Sequence, residues 1–209
     1  MAESKPKREI PGPLKSLLDL DARISKEIVE AVNKKYPIVD FRHHLKHLEI
    51  SCHGVPWFMI TIAGMYMVDN PELWVNLLIG LLLDIVIVAV LKAFTRRRRP
   101  AYNIDDLFLV SSIDKFSFPS GHATRAVLLG VFFNILYPLH FIFFIPIMVW
   151  SSAVCASRVI LGRHHVLDVV CGVLIGILEG LILSKVWLSR EGAGSIISAF
   201  GGEDPWSSS

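Results

Sequence analysis

"LWVNLLIGLLLDIVIVAVLKAF", residues 73–94, holds one acid, Asp84, and one base, Lys92, in 22 residues. A helix of about 20 apolar residues crosses a bilayer's hydrocarbon core, so this stretch is long enough to span. Its polar flanks, "DNPE" (69–72) and "TRRRRPAY" (95–102), mark both exits. Working outward, four more apolar runs follow the same logic: a short one at 55–68, then 122–137, 139–156 and 166–187, with Pro138 turning the chain between the middle pair. The chain of 209 residues is 53% hydrophobic and only 19% charged, with mean hydropathy +0.52, which belongs to the membrane class. The expected fold is therefore all-α, a polytopic membrane helix bundle with about five transmembrane helices.

Outside the spans, residues 1–13 are basic and proline-bearing and read as a disordered tail. From residue 14 to 35, Leu14, Leu17, Leu18, Ile24, Ile28 and Val32 recur near helical period between charged positions. That pattern predicts an amphipathic interfacial helix, too charged to span, within an N-terminal region of residues 14–50. The membrane-embedded domain is expected over 51–188, and the Gly/Ser-rich residues 189–209 read as a flexible C-terminal tail. No apolar run opens the chain, so no cleavable signal peptide is expected. The three cysteines, Cys52, Cys155 and Cys171, show no paired spacing, and those in apolar runs read as small core residues.

Five spans have a parity consequence. The end of the second, the start of the third, the end of the fourth and the start of the fifth share one membrane side. Of the 21 Lys and Arg residues, 19 fall on that side, all but Lys185 and Arg190. The positive-inside rule places this face and the N-terminus in the cytosol. A net charge of +2 gives no bulk attraction for nucleic acid, and none is expected as a partner.

Three polar clusters sit at those four helix ends. In "KAFTRRRRPAY", Lys92 and Arg99 are seven apart, near one helix face, before Pro100 stops the helix. Alone, this is also an ordinary basic stop-transfer end. In "FPSGHATRA", Pro119, Ser120 and Gly121 open a helix whose free amides suit an anion, with His122 at its start. In "SRVILGRHHVLD" (157–168), Arg158 ends one span and His164 lies four residues before Asp168. A carboxylate one helical turn away accepts a hydrogen bond from one ring nitrogen and leaves the other as nucleophile. His165 has Val169 at that spacing, so the reading selects His164.

Together one face offers the cations Lys92, Arg99 and Arg158, an amide nest, two histidines and a carboxylate. Cations and oriented amides suit a phosphoryl group's spread charge. One histidine as nucleophile and the other as general acid complete a two-step hydrolysis. Asp105, Asp106 and Asp114 form no magnesium pattern, so no metal and no cofactor is expected.

These residues resemble the type 2 phosphatidic-acid phosphatase superfamily of membrane lipid phosphatases. Its signature, K-x6-R-P, then P-S-G-H, then S-R-x5-H-x3-D, is met in order by Lys92 to Arg99-Pro100, Pro119 to His122, and Ser157-Arg158 to His164 to Asp168. The resemblance covers about residues 50–188. It implies that His164 forms a phosphohistidine, Asp168 orients it and His122 protonates the leaving group. It also implies that Lys92, Arg99, Ser120, Gly121 and Arg158 hold the phosphate. The short chain, the basic N-terminal region and "LEISCHGVPW" are similar to polyisoprenoid diphosphate phosphatases of the presqualene diphosphate type. That implies an isoprenoid diphosphate such as presqualene or farnesyl diphosphate as substrate. With no other targeting signal, the endoplasmic reticulum or nuclear envelope is the default location. Phosphatidate, lysophosphatidate and sphingosine phosphate are the alternative substrates. Three other classes are weighed: a non-catalytic scaffold that keeps the signature, a soluble vanadium haloperoxidase and a transporter. The intact signature, the five spans and the missing repeat argue against them in turn.

Other residues carry secondary expectations. His43 and His47 have a metal-ligand spacing but read as part of an interfacial segment. Arg96, Arg97 and Arg98 read as headgroup or diphosphate attraction rather than catalysis, and Arg163 and His165 as facing headgroups. Asp84 and Glu179 fall at similar depth near mid-bilayer, where a shared hydrogen bond or a cavity-lining role fits. Gly172, Gly176 and Gly180 continue the four-residue rhythm of His164 and Asp168 and predict close helix packing.

Overall fold

The structure, a computed structural model, describes residues 11–103 and 115–201. Among these, eight α-helices follow in order: α1 Gly12–Lys35, α2 Ile38–Ser51, α3 Gly54–Met67, α4 Pro71–Thr95, α5 Gly121–Val131, α6 Phe144–Ile160, α7 Val166–Lys185 and α8 Arg190–Gly201. A π-helical turn, Phe132–Leu136, extends α5, and a 3-10 turn, Phe141–Phe143, leads into α6.

Three segments are long and apolar enough to cross a membrane: Pro71–Thr95, Phe141–Ile160 and Val166–Lys185. Gly54–Met67 and Gly121–Leu136 are apolar but shorter, and complete a bundle of five apolar helices. The lipid-facing sides are legible in exposure: Leu82, Ile85, Val86 and Val90 on α4, and Leu174, Leu178 and Leu181 on α7, all point outward. The interior of the bundle is built from Leu77, Leu81, Leu128, Leu129, Phe132 and Leu183, with α5 packed among α4, α6 and α7.

Local sequence explains the helix ends. Asn70 caps α4 by accepting from the Leu73 amide at 3.2 Å, with Pro71 at the first helical position. Ser120 caps α5 by accepting from the Ala123 amide at 3.4 Å. The glycine rhythm of α7 does what its spacing predicts. A Cβ on Gly176 would stand 2.5 Å from the Thr124 carbonyl oxygen, and one on Gly172 3.1 Å from that of Ser120. Only hydrogen in place of a side chain lets α7 approach α5 this closely.

Four expectations need correction. The helix expected over 14–35 is present as α1, with α2 following after Pro37, but α1 packs on α6 and α7 rather than lying on lipid alone. The C-terminal stretch is not wholly loose: α8 packs against α4, with Ala193 and Ile197 buried around Val75. Its Gly-rich composition concealed an apolar face. Asp84 does not share a hydrogen bond with Glu179. It accepts from Thr124 Oγ1 at 2.6 Å and from Arg125 at 2.5 Å, because a cation within the bundle offers a carboxylate more than a second acid does. Glu179 is fully buried, and among the described residues its carboxylate has no hydrogen-bond partner. Finally, Arg163 and His165 face inward, not toward headgroups. The expected tail residues 1–10 and 202–209, and Asp105, Asp106 and Asp114, lie outside the described residues.

Candidate active site

The signature residues arrive from four helix ends and the connections beside them, and Arg99 lies beyond the end of α4 rather than on one helix face with Lys92. Lys92 is in the last turn of α4 and is buried. The next turn is broken by Arg96, whose φ of 50° places it in the left-handed region and turns the chain back. The basic segment then runs beside residues 115–118. Arg98 and Phe116 form a bridge, Ser117 donates its amide to the Arg97 carbonyl at 2.8 Å, and Ser117 Oγ donates to the Arg98 carbonyl at 3.0 Å. This pairing presents the Ser117 carbonyl to the site.

His164 meets that carbonyl. Its Nδ1 lies 2.8 Å from Ser117 O, which can only accept, so Nδ1 carries the proton and Nε2 is left with its lone pair. His164 is 2% exposed and sits in the connection between α6 and α7, outside the spans. Gly162, at φ +69°, makes the turn before it, close against Tyr102. Burial, then the nearby cations Arg158, Arg99 and Lys92, hold the imidazole well below its ordinary 6.5, against the opposing effect of the Ser117 bond. The imidazole is neutral at pH 7, and three cations stand around a lone-pair donor. An incoming phosphate would meet both at once.

The structure brings the other residues close by. Ser120 is buried at the N-cap of α5, and its amide donates to the Asp168 carbonyl at 3.1 Å, tying the amide nest to α7. Gly121 and His122 occupy the first turn, where helix amides point outward to an anion. A Cβ on Gly121 would meet Val88 at 3.3 Å, so the α4–α5 contact also constrains this position. His122 lies within electrostatic reach of Arg158 and His164, and its buried Nε2 has no hydrogen-bond partner among the described residues. Arg158, 1% exposed, has its Nε without a partner as well, and one terminal nitrogen 3.3 Å from Glu49 outside hydrogen-bond alignment. Buried donors of this kind fit an anionic ligand.

Asp168 does something other than expected. It stands 3.9 Å from His164 Nδ1, beyond hydrogen-bond reach, while its Oδ2 accepts from the His165 amide at 2.8 Å and lies 3.2 Å from His165 Nδ1. Its Oδ1 accepts from Arg97 at 2.7 Å. The reason is that α7 begins at Val166. The one-turn rule needs both residues inside a helix, and His164 precedes it, so the carboxylate folds back as a capping box. Arg97 is thus an inward clamp and not a headgroup contact. Arg163 reaches Glu49 at 3.5 Å and Asn103 at 3.4 Å. Sequence reasoning missed Ser117, Arg97, Glu49 and the α1 residues Asp21 and Ser25. Only the last two left a trace: a Leu18-Asp21-Ser25 stripe along the inward helix face.

Residues 73–191, more than half of the chain, match the PAP2 superfamily model. The chain belongs to the PAP2 superfamily. A probable lipid phosphate phosphatase beta of Arabidopsis thaliana is 30% identical over 201 residues, covering 81% of this chain and 88% of the relative. A decaprenylphosphoryl-5-phosphoribose phosphatase of Mycobacterium tuberculosis is 28% identical over 71% of this chain and 80% of its own. Among solved structures, the transmembrane PAP2-type phosphatidylglycerolphosphate phosphatase of Bacillus subtilis aligns with a TM-score of 0.59 at 26% identity. That alignment covers 82% of this chain and 86% of the other. This PAP2 protein is an integral multi-pass membrane enzyme, a lipid phosphate phosphatase.

Proposed function

We propose that the enzyme hydrolyses lipid phosphates and diphosphates at the cytosolic leaflet through a phosphohistidine on His164, with polyisoprenoid diphosphates as the favoured class. The observation that carries this reading is the His164 Nδ1–Ser117 bond of 2.8 Å, which leaves Nε2 unprotonated beside Lys92, Arg99 and Arg158. The cations and the α5 amides at Gly121 and His122 take the phosphoryl oxygens. Nε2 forms a bond to phosphorus as the bond from phosphorus to the leaving oxygen breaks, and His122, protonated by the proton that the substrate's phosphate monoanion brings in, gives that oxygen its proton. The now neutral His122 then takes a proton from water, whose oxygen displaces His164 and releases phosphate. Asp168 supports this by fixing the start of α7 rather than by touching His164. Protein cations do the charge neutralisation, so the reaction proceeds without a divalent metal.

An isoprenoid substrate is supported by the resemblance of the "LEISCHGVPW" region and by a relative whose name contains a polyprenyl phosphoryl group. The distribution of Lys and Arg supports a site facing the cytosol, and the endoplasmic reticulum or nuclear envelope is the default membrane for such a chain. The test is phosphate release in detergent without magnesium from a panel of farnesyl diphosphate, phosphatidate, lysophosphatidate and sphingosine phosphate. Farnesyl diphosphate should give the highest kcat/KM, and His164→Ala should give none. A preference for phosphatidate would move the substrate class, and activity retained by His164→Ala would overturn the mechanism.

A further inference from the structure

The start of α7 is capped by another helix. The first amides of a helix need acceptors from outside it. On α7, the Val166 amide donates to Ser25 Oγ at 2.9 Å and the Leu167 amide to Asp21 Oδ1 at 2.9 Å. Both acceptors belong to α1, more than 140 residues earlier in the chain. Ser25 in turn donates to the Asp21 carbonyl at 2.7 Å, and both side chains are buried. The second oxygen of Asp21 accepts from Arg97 at 2.6 Å, and the other arm of Arg97 reaches Asp168 at 2.7 Å. Asp168 closes the circuit, since its backbone carbonyl accepts the Ser120 amide.

We propose that Asp21 is a positioning residue of the phosphatase centre: from α1 it caps the helix that follows His164 and holds Arg97 on Asp168. This rests on the reading of His164 as nucleophile. A carboxylate at a helix N-terminus is favoured by the macrodipole as well as by its hydrogen bonds. The same carboxylate is paired with the Arg97 guanidinium, which binds Asp168 on α7, while the backbone carbonyl of Arg97 accepts from the Ser117 amide on the other side of the site. Removing it frees the first turn of α7, and with it the Asp168 contact to the Ser120 nest. His164 keeps its Ser117 bond, so the nucleophile stays neutral while its placement against the nest loosens. Asp21 and Ser25 lie upstream of residues 73–191, so this device is added to the superfamily segment rather than part of it.

The test compares full-length wild type, Asp21→Asn, Asp21→Ala, Arg97→Met and Asp21→Asn/Arg97→Met in detergent, on farnesyl diphosphate. Misplacement of reacting groups lowers kcat steeply, so Asp21→Ala should lose roughly 10- to 100-fold in kcat with KM within about twofold. Asn keeps an acceptor for Leu167 but not the charge for Arg97, so Asp21→Asn should fall between. Adding Arg97→Met to it should cost less than about twofold more, since the two act as one unit. Turnover is normalised to the folded, monodisperse fraction, which a purely structural role would lower without changing normalised kcat. An unchanged normalised kcat in Asp21→Ala, or a full additive loss from Arg97→Met, would overturn the proposal. His164→Ala runs alongside: if it is inactive while Asp21→Ala is normal, only this proposal fails, whereas activity in His164→Ala removes the reading beneath it.

Discussion

The His164 imidazole and the Ser117 carbonyl, 47 positions apart in sequence, are joined by a 2.8 Å hydrogen bond that sets which ring nitrogen keeps its lone pair. The bond uses no side chain of Ser117. It depends on the pairing of residues 115–118 with the arginine segment, which makes the shape of the basic loop part of the proposed nucleophile's chemistry.

The pH profile follows from the surroundings of His164. Burial and the Arg158, Arg99 and Lys92 cations lower its pKa, so the neutral form, which the proposed mechanism needs, persists as the solution turns acidic. The acid limb of kcat/KM should therefore fall below pH 6.5. The linkage has the same sign: a base with a depressed native pKa binds more protons when unfolded. Its contribution to stability is intact above the unfolded value and declines as pH drops below it. An acid limb centred above 6.5 in a kcat/KM profile would show that His164 is not shielded in this way.

Asp168→Asn separates two geometries. Where a carboxylate directly orients a catalytic histidine, its amide costs about 10⁴-fold in kcat. Here the asparagine still has an oxygen for the His165 amide, and Ser117 holds the His164 tautomer. The expected loss is far smaller, about tenfold, from the weakened Arg97 contact. Steady-state kinetics on farnesyl diphosphate measure the difference.

The buried pair of Asp84 and Arg125 should behave as a unit. Removing one partner leaves an uncompensated buried charge, which costs roughly 3–5 kcal/mol. Arg125→Met alone should lower thermal stability in detergent sharply, and Asp84→Asn/Arg125→Met should recover most of it. Failure of the double variant to recover would place the role of the pair elsewhere.

Gly176→Ala tests the seating of α7 on α5. Its added methyl would stand 2.5 Å from the Thr124 carbonyl, so the helices must separate, at a cost of about 2 kcal/mol. Gly194→Ala on α8, with nothing within 4 Å of the new carbon, is the control and should leave the melting temperature unchanged or raised.

Much of this architecture was legible in the chain, for different reasons at different residues. The span at 73–94 is dictated by solvation of a backbone in lipid and needs no tertiary knowledge. Lys92, Arg99, His122, Arg158 and His164 stand out because polar groups at apolar helix ends are costly unless they work together. Arg97 was hidden inside a run of four arginines. Nothing in the run reveals that the left-handed turn at Arg96 swings its neighbour inward. The His164-to-Asp168 spacing misleads because the start of α7 falls between the two residues. Asp21 looked like one more charge on an amphipathic helix, since its partners lie on α7 and in the arginine segment.

The most direct measurement is to quench wild type and His164→Ala during turnover of ³²P-labelled farnesyl diphosphate and assay protein-bound phosphate for acid and base stability. Wild type should carry label that is lost in acid and kept in base, as a phosphohistidine does, mapping to the peptide with His164 and absent from His164→Ala. Label on another residue, or equal label on the variant, would contradict His164 as the nucleophile.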